Sequence, residues 1–224
     1  MTTGGRVPQR CALPQPAGMT IADLQTVCLR LGASTIIGAL MAKRVCPWWL
    51  GYLLASPIRR MFQDPAKILA PYVREGMTVL EPGPGMGFFT LELARRVGPS
   101  GRVVAVDVQA KMIEGLKRRL ARKSLLERVD ARVTPQDSMG LQDLAGKVDL
   151  AHVFAVVHEM PAANAFFTEI VEALKPGGSC LFVEPSGHVS AAEFEEEVQA
   201  AQRAGLTLAE RPSIRRSRAA LFKK

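Results

Sequence analysis

Glu81, Gly83, Gly85 and Gly87 recur at alternate positions in Val79-Leu80-Glu81-Pro82-Gly83-Pro84-Gly85-Met86-Gly87-Phe88-Phe89-Thr90. Apolar residues lead up to the acid and an apolar-periodic segment follows the last glycine, so the order reads strand, tight turn, helix start. Glycine lets such a turn take positive φ and lets a ligand approach with no Cβ in the way. The N–H groups that open the next helix then face that ligand. Asp107 comes 20 residues after Gly87, at the end of an apolar run. A carboxylate there can accept hydrogen bonds from both hydroxyls of a ribose. Asp137 and Ser138 close a third run, His158 and Glu159 a fourth, and Glu184 and His188 lie at and beyond the end of a fifth. A histidine near neutral pKa can take a proton from a hydroxyl, a thiol or an activated carbon.

Spacing separates the cofactors that could claim the turn. A dinucleotide fingerprint needs glycine at its first, third and sixth positions, but the sixth position here is Phe88. A P-loop needs Lys followed by Ser or Thr, and none follows. The remaining pattern, Glu81-x-Gly83-x-Gly85-x-Gly87, resembles motif I of the class I S-adenosylmethionine-dependent methyltransferases. The resemblance covers residues 64 to 224 and is strongest to the small-molecule branch near the ubiquinone/menaquinone C-methyltransferases and other "type 11" domains. It implies S-adenosylmethionine as cofactor, with Glu81 and the three glycines under its methionine part. It also implies Asp107 and Val108 at the ribose, and Asp137 and Ser138 at the adenine. His158 and Glu159 are then the residues to orient or deprotonate the acceptor, with Glu184 and His188 bordering it. Enzymes of this kind that methylate adenine or glutamine carry Asn/Asp-Pro-Pro-Tyr after the fourth strand, and the rRNA adenine dimethylases carry Asn-Leu-Pro-Tyr. This chain has Ala155-Val156-Val157-His158 instead, which disfavours a nucleic-acid substrate.

These residues need elements to hold them. Residues 1–18, rich in Gly and Pro, read as a flexible tail, and residues 19–63 as a helical or lid segment. In the latter, Trp48, Trp49 and Tyr52 could close a substrate pocket, pack in the core or touch a membrane surface. From Asp64, a short helix capped by Asp64-Pro65 precedes alternating strands and helices. Strands are expected at Met77–Glu81, Val103–Asp107, Val129–Val133, within Val148–Val157, and at Ser179–Glu184. Helices are expected over Phe88–Val97, Ala110–Lys123, Ala162–Leu174 and Ala191–Ala204, and Lys175-Pro176-Gly177-Gly178 reads as a turn. The last two strands, Leu206–Glu210 and Ser217–Phe222, are joined by too short a loop for a crossover and must be antiparallel. The expectation is an α/β, doubly wound, mostly parallel seven-stranded sheet with an antiparallel C-terminal hairpin, plus N-terminal helices.

Composition bounds the rest. Of the 224 residues, 48% are hydrophobic and 22% charged, enough for one packed domain. Cys11, Cys28, Cys46 and Cys180 stand far apart with no C-x-x-C pair, so neither a metal site nor a disulfide framework is expected. A reducing cytoplasm is the expected location, since no apolar leader follows Arg6 and Arg10 and no 18-residue apolar run exists. The net charge of +8, from 29 basic against 21 acidic residues, favours acidic partners without choosing among them. The expected function is methyl transfer to a small, apolar or amphipathic acceptor. An RNA methyltransferase and a non-catalytic, membrane-surface S-adenosylmethionine-binding module stay open as alternatives.

Overall fold

The computed structural model describes residues 63–224. The expected tail, most of the expected helical or lid segment, and Trp48, Trp49 and Tyr52 lie outside the described residues. Helix α1 (Pro65–Leu69) opens as its sequence requires: the Asp64 carboxylate accepts from the Ala66 N–H at 3.0 Å, and Pro65 takes the first helical position. Strands and helices then alternate through β1 (Thr78–Pro82), α2 (Thr90–Arg96), β2 (Arg102–Asp107), α3 (Ala110–Ala121), β3 (Val129–Val133) and β4 (Val148–Phe154). They continue with α4 (Ala163–Ala173), β5 (Leu174–Pro185), α5 (Ala191–Arg203), β6 (Thr207–Glu210) and β7 (Ser217–Lys223).

The seven strands form one sheet in the order β3-β2-β1-β4-β5-β7-β6. The first five are parallel, while β7 runs antiparallel to both β5 and β6. Alternate side chains serve opposite faces. Leu80, Val104, Val153 and Phe182 pack with Phe167 and Ile170 of α4 and Phe194 of α5. Val79, Val103, Leu150 and Leu181 pack with Leu93 of α2 and Leu116 of α3. Helices on both faces explain why the central strands read as continuous apolar runs. The expected doubly wound, mostly parallel sheet with its terminal hairpin is the observed one.

Two local expectations are corrected, and the strand expected within Val148–Val157 is found there. Helix α2 begins at Thr90 rather than Phe88, because the turn spends Gly87 to Phe89 on reversing the chain. Lys175–Gly178 is no separate turn, for β5 runs through it as a bulge: Val148 faces Leu174, while Leu150 already faces Ser179. Strand β4 stops at Phe154 because Ala155 adopts φ 55°, a left-handed conformation rare for a residue with a Cβ. The strand order reverses between β1 and β4, and a crevice opens beyond their carboxyl ends, where such sheets bind ligands.

Candidate active site

The glycine turn is held open by sterics. Gly83, Gly85 and Gly87 have φ of 64°, 53° and 84°. A Cβ on Gly83 would lie 2.9 Å from Val156 Cγ2, and one on Gly87 would lie 2.5 Å from Leu116 Cδ1. At Gly85 a Cβ would meet nothing within 4 Å, so that backbone is bare toward the crevice. The turn is tied down by Gly83 N–H donating to Val106 O at 2.9 Å and by the Arg119 guanidinium donating to Met86 O.

Asp107 ends β2 beside this turn, with Val108 next to it on the crevice wall. Its Oδ1 accepts from the Gln109 N–H at 2.8 Å. Burial pushes its carboxyl up to about 6, against the backbone N–H groups of Gln109, Gly85 and Val108, which favour the charged form. Asp137 is exposed on the crevice rim. The Ser138 hydroxyl donates to Glu169 Oε2 at 3.1 Å and accepts from the Gly140 N–H at 3.1 Å. The same Glu169 oxygen accepts from the Met139 N–H at 2.9 Å. Glu169 therefore pins the loop that carries Asp137, a role no motif in the sequence announced.

The crevice continues from Gly85 and Asp107 to His158, as one cavity of about 310 Å³. Phe88, Phe89, Phe154, Met160 and Phe166 give it apolar walls. Glu81 and His152 border the cavity from β1 and β4, where 79↔150 and 80↔151 pairing sets them side by side. Their nearest polar atoms are 3.9 Å apart, and Glu81 Oε2 and both His152 nitrogens have no partner. Burial pushes Glu81 up to about 8, with the Thr90 hydroxyl working the other way, and pushes His152 down to about 3. Both are therefore neutral at pH 7. One polar residue inside an apolar run, His152 carries no spacing signal in the sequence.

The left-handed Ala155 turns the chain so that Val156 packs on Gly83 and a single 3-10 turn, Val157–Glu159, follows. His158 stands on that turn and lines the cavity, as do Glu159 and His188. Its Nδ1 lies 2.7 Å from Glu184 Oε2. Glu184, expected to border the acceptor, is instead completely buried and absent from the cavity wall. Its place on β5 explains this: with Cys180 and Phe182 it belongs to the face that α4 and α5 cover. It sits behind His158 rather than beside a ligand. Among the described residues, no group of three His, Cys, Asp or Glu side chains could hold a metal ion.

The residues fit S-adenosylmethionine: the bare Gly85 backbone, two positions where a side chain cannot be accommodated, and a crevice-edge carboxylate already supplied with N–H donors. A doubly wound sheet with this turn and terminal hairpin defines the class I methyltransferase architecture. The sequence profile described as "Methyltransferase domain" matches residues 73–213, and the chain belongs to that family, as a class I, S-adenosylmethionine-dependent methyltransferase. It is 30% identical over 112 residues to a ubiquinone/menaquinone biosynthesis C-methyltransferase of Hydrogenovibrio crunogenus, spanning 50% of this chain and 43% of that one. It is 32% identical over 124 residues to an arsenite methyltransferase of Halobacterium salinarum, spanning 55% of this chain and 30% of that one. The chain thus spans less than half the length of these curated relatives. A crystallised SAM-dependent methyltransferase from Aquifex aeolicus shares the fold, with TM-score 0.73, 22% identity, and coverage of 80% of this chain and 99% of that one.

Proposed function

We propose that this protein transfers a methyl group from S-adenosylmethionine to a small, apolar or amphipathic acceptor. The observation that carries the reading is one cavity that joins the bare Gly85 backbone and Asp107 to His158, with phenylalanine and methionine side chains in its wall. Gly83, Gly85 and Gly87, with Glu81, hold the methionine part. Asp107 accepts from the ribose hydroxyls with Val108 beside it. Asp137 meets the adenine amino group, and Ser138 with Glu169 keeps its loop in place. When bound, S-adenosylmethionine supplies an electrophilic methyl group, and the pair of the broken bond stays on sulfur. His158 Nε2 takes the proton that the acceptor atom loses, while Glu159 and His188 stand at the same end. The phenylalanine walls exclude water, so most of the acceleration comes from holding the acceptor in line.

Calorimetry tests the donor half. Wild-type protein is expected to bind S-adenosylmethionine, and folded Asp107→Ala to bind at least about tenfold more weakly, about the worth of a charge-assisted hydrogen bond. No binding by wild type, or equal binding by the variant, rejects it. For the acceptor half, methyl-labelled donor is incubated with fractionated extract. Label is expected in organic-extractable small molecules, and label confined to RNA rejects this reading.

A further inference from the structure

Glu184 is surrounded by hydrogen-bond donors although it is completely buried behind the cavity. Its Oε1 accepts from the Val157 N–H at 2.9 Å and lies 3.4 Å from the His158 N–H, and its Oε2 is 2.7 Å from His158 Nδ1. An ionised carboxylate can only accept, so the His158 proton sits on Nδ1 and the lone pair on Nε2. The two backbone contacts fix the carboxylate, and the carboxylate fixes the ring. Glu159 Oε1 approaches Nε2 only to 4.0 Å, outside hydrogen-bond distance.

The surroundings also set the charge. Burial works against the imidazolium, but the Glu184 carboxylate, with Glu159 and Glu197, outweighs it and holds His158 above its ordinary value. Glu197 faces the cluster from α5, with Oε2 buried and without a partner. Burial and the charge of Glu184 push it up to about 7. His188 meets the His158 ring edge-on, centroids 5.6 Å apart.

We infer that Glu184 is a positioning residue. From behind the site it selects the His158 tautomer whose Nε2 can accept a proton, and it fits the protein to acceptors whose attacking atom carries one. This rests on the proposed role of His158 as the base. An acceptor with a hydroxyl or an acidic carbon uses the pair, whereas one arriving with a free lone pair and no proton to lose gains nothing from it.

The chain has three histidines, so their imidazole signals can be followed one by one by NMR, with His158 assigned by the signal lost in His158→Gln. In Glu184→Gln the His158 titration is expected to move down by about one unit, a tenfold loss of proton affinity, and its Nδ1–H preference to weaken. Glu184→Asp is expected to restore part of both. Glu197→Gln, which leaves the Glu184 contacts in place, is expected to give a smaller downward shift and serves if Glu184→Gln does not fold. An unchanged His158 titration in folded Glu184→Gln, or, where that variant fails to fold, in Glu197→Gln, overturns the inference. The labelled-methyl assay separates the two claims. Full activity in His158→Gln rejects the proposed base even where the titration shifts. Lost activity in that variant with no shift in Glu184→Gln rejects only the positioning role.

Discussion

Glu81 and His152 show how far burial can move two groups in opposite senses within one patch of sheet. They are paired neighbours on β1 and β4, both almost completely buried, and both neutral at pH 7. The signs of their effects on stability differ. His152 has its folded value lowered to about 3, so the unfolded chain binds more protons between pH 3 and 6.5, and stability rises with pH across that window. Glu81 has its folded value raised to about 8, so the folded chain holds the extra proton, and stability falls as pH rises from 4.5 toward 8. Melting of ligand-free protein against pH is expected to lose its alkaline decline, from about 6.5 to 8, in Glu81→Gln. A decline as steep in that variant as in wild type would show that Glu81 does not carry it. Asp107 gives a second test at this scale. With its carboxyl near 6, donor affinity is expected to hold above pH 7 and to fall toward tenfold per unit well below 6. Calorimetry over pH 5 to 8 checks this, and a flat profile contradicts it. Glu81 and Asp107 were legible because the glycines between them fix their spacing. Glu184 was legible as an acid at a strand end, but its direction was not. The parity of Cys180, Phe182 and Glu184 held that information, and it becomes readable only once one knows which face of β5 the last helices cover.

Among the elements, the alternation of strands and helices was plain because each central strand is apolar on both faces and the helices other than α3 are bounded by Gly, Pro or a cap. Ser190 and Glu193 form a full capping box at α5. The misread element was β5. Lys175-Pro176-Gly177-Gly178 has the composition of a turn, yet Gly177 takes φ 75° inside a bulge, and a Cβ on Gly178 would lie 2.8 Å from Lys175 O. Composition reports a need for unusual backbone, which a bulge and a turn share. The glycine turn invites a sharper test, because its three glycines are needed for different reasons. In Gly87→Ala the new methyl meets Leu116, which is fully buried, and the backbone has φ 84°. That variant is expected to lose about 2–4 kcal/mol, from overpacking added to strain. Gly85→Ala has open space and keeps only the conformational cost, about 1 kcal/mol, while its methyl stands where the donor is proposed to lie. Denaturant unfolding beside calorimetry should therefore show Gly87→Ala losing mainly stability and Gly85→Ala losing mainly donor affinity. The reverse order would mean the turn is not held as described.

For the whole molecule, the net charge of +8 turns out to be unevenly spread. Of the 29 basic and 21 acidic residues, residues 1–62 hold 7 and 1, which leaves 22 and 20 in residues 63–224. The described domain is thus almost balanced, and much of its charge is paired. Arg132 bridges Asp130 and Asp143, Arg211 meets Glu195, Arg96 meets Glu92, and Lys175 meets Asp149. Basic residues that neutralise a polyanion displace the counterions condensed on it, and the affinity falls with salt accordingly. The surplus that could do this lies in the first 62 residues, where Lys43, Arg44, Arg59 and Arg60 flank Trp48, Trp49 and Tyr52. No helix among the described residues is long and apolar enough to cross a membrane. Replacing those four basic residues by Gln in the full chain is expected to lower the salt needed for elution from heparin and to reduce flotation with anionic vesicles. Donor affinity should stay unchanged, because the residues proposed to hold the donor lie between Glu81 and Glu169. Replacing Lys117, Arg118, Arg122 and Lys123 on and beside α3 is expected to have the smaller effect on both readouts. If the α3 set proves dominant, the polyanion face belongs to the methyltransferase domain itself, and an RNA substrate regains its claim on the cavity.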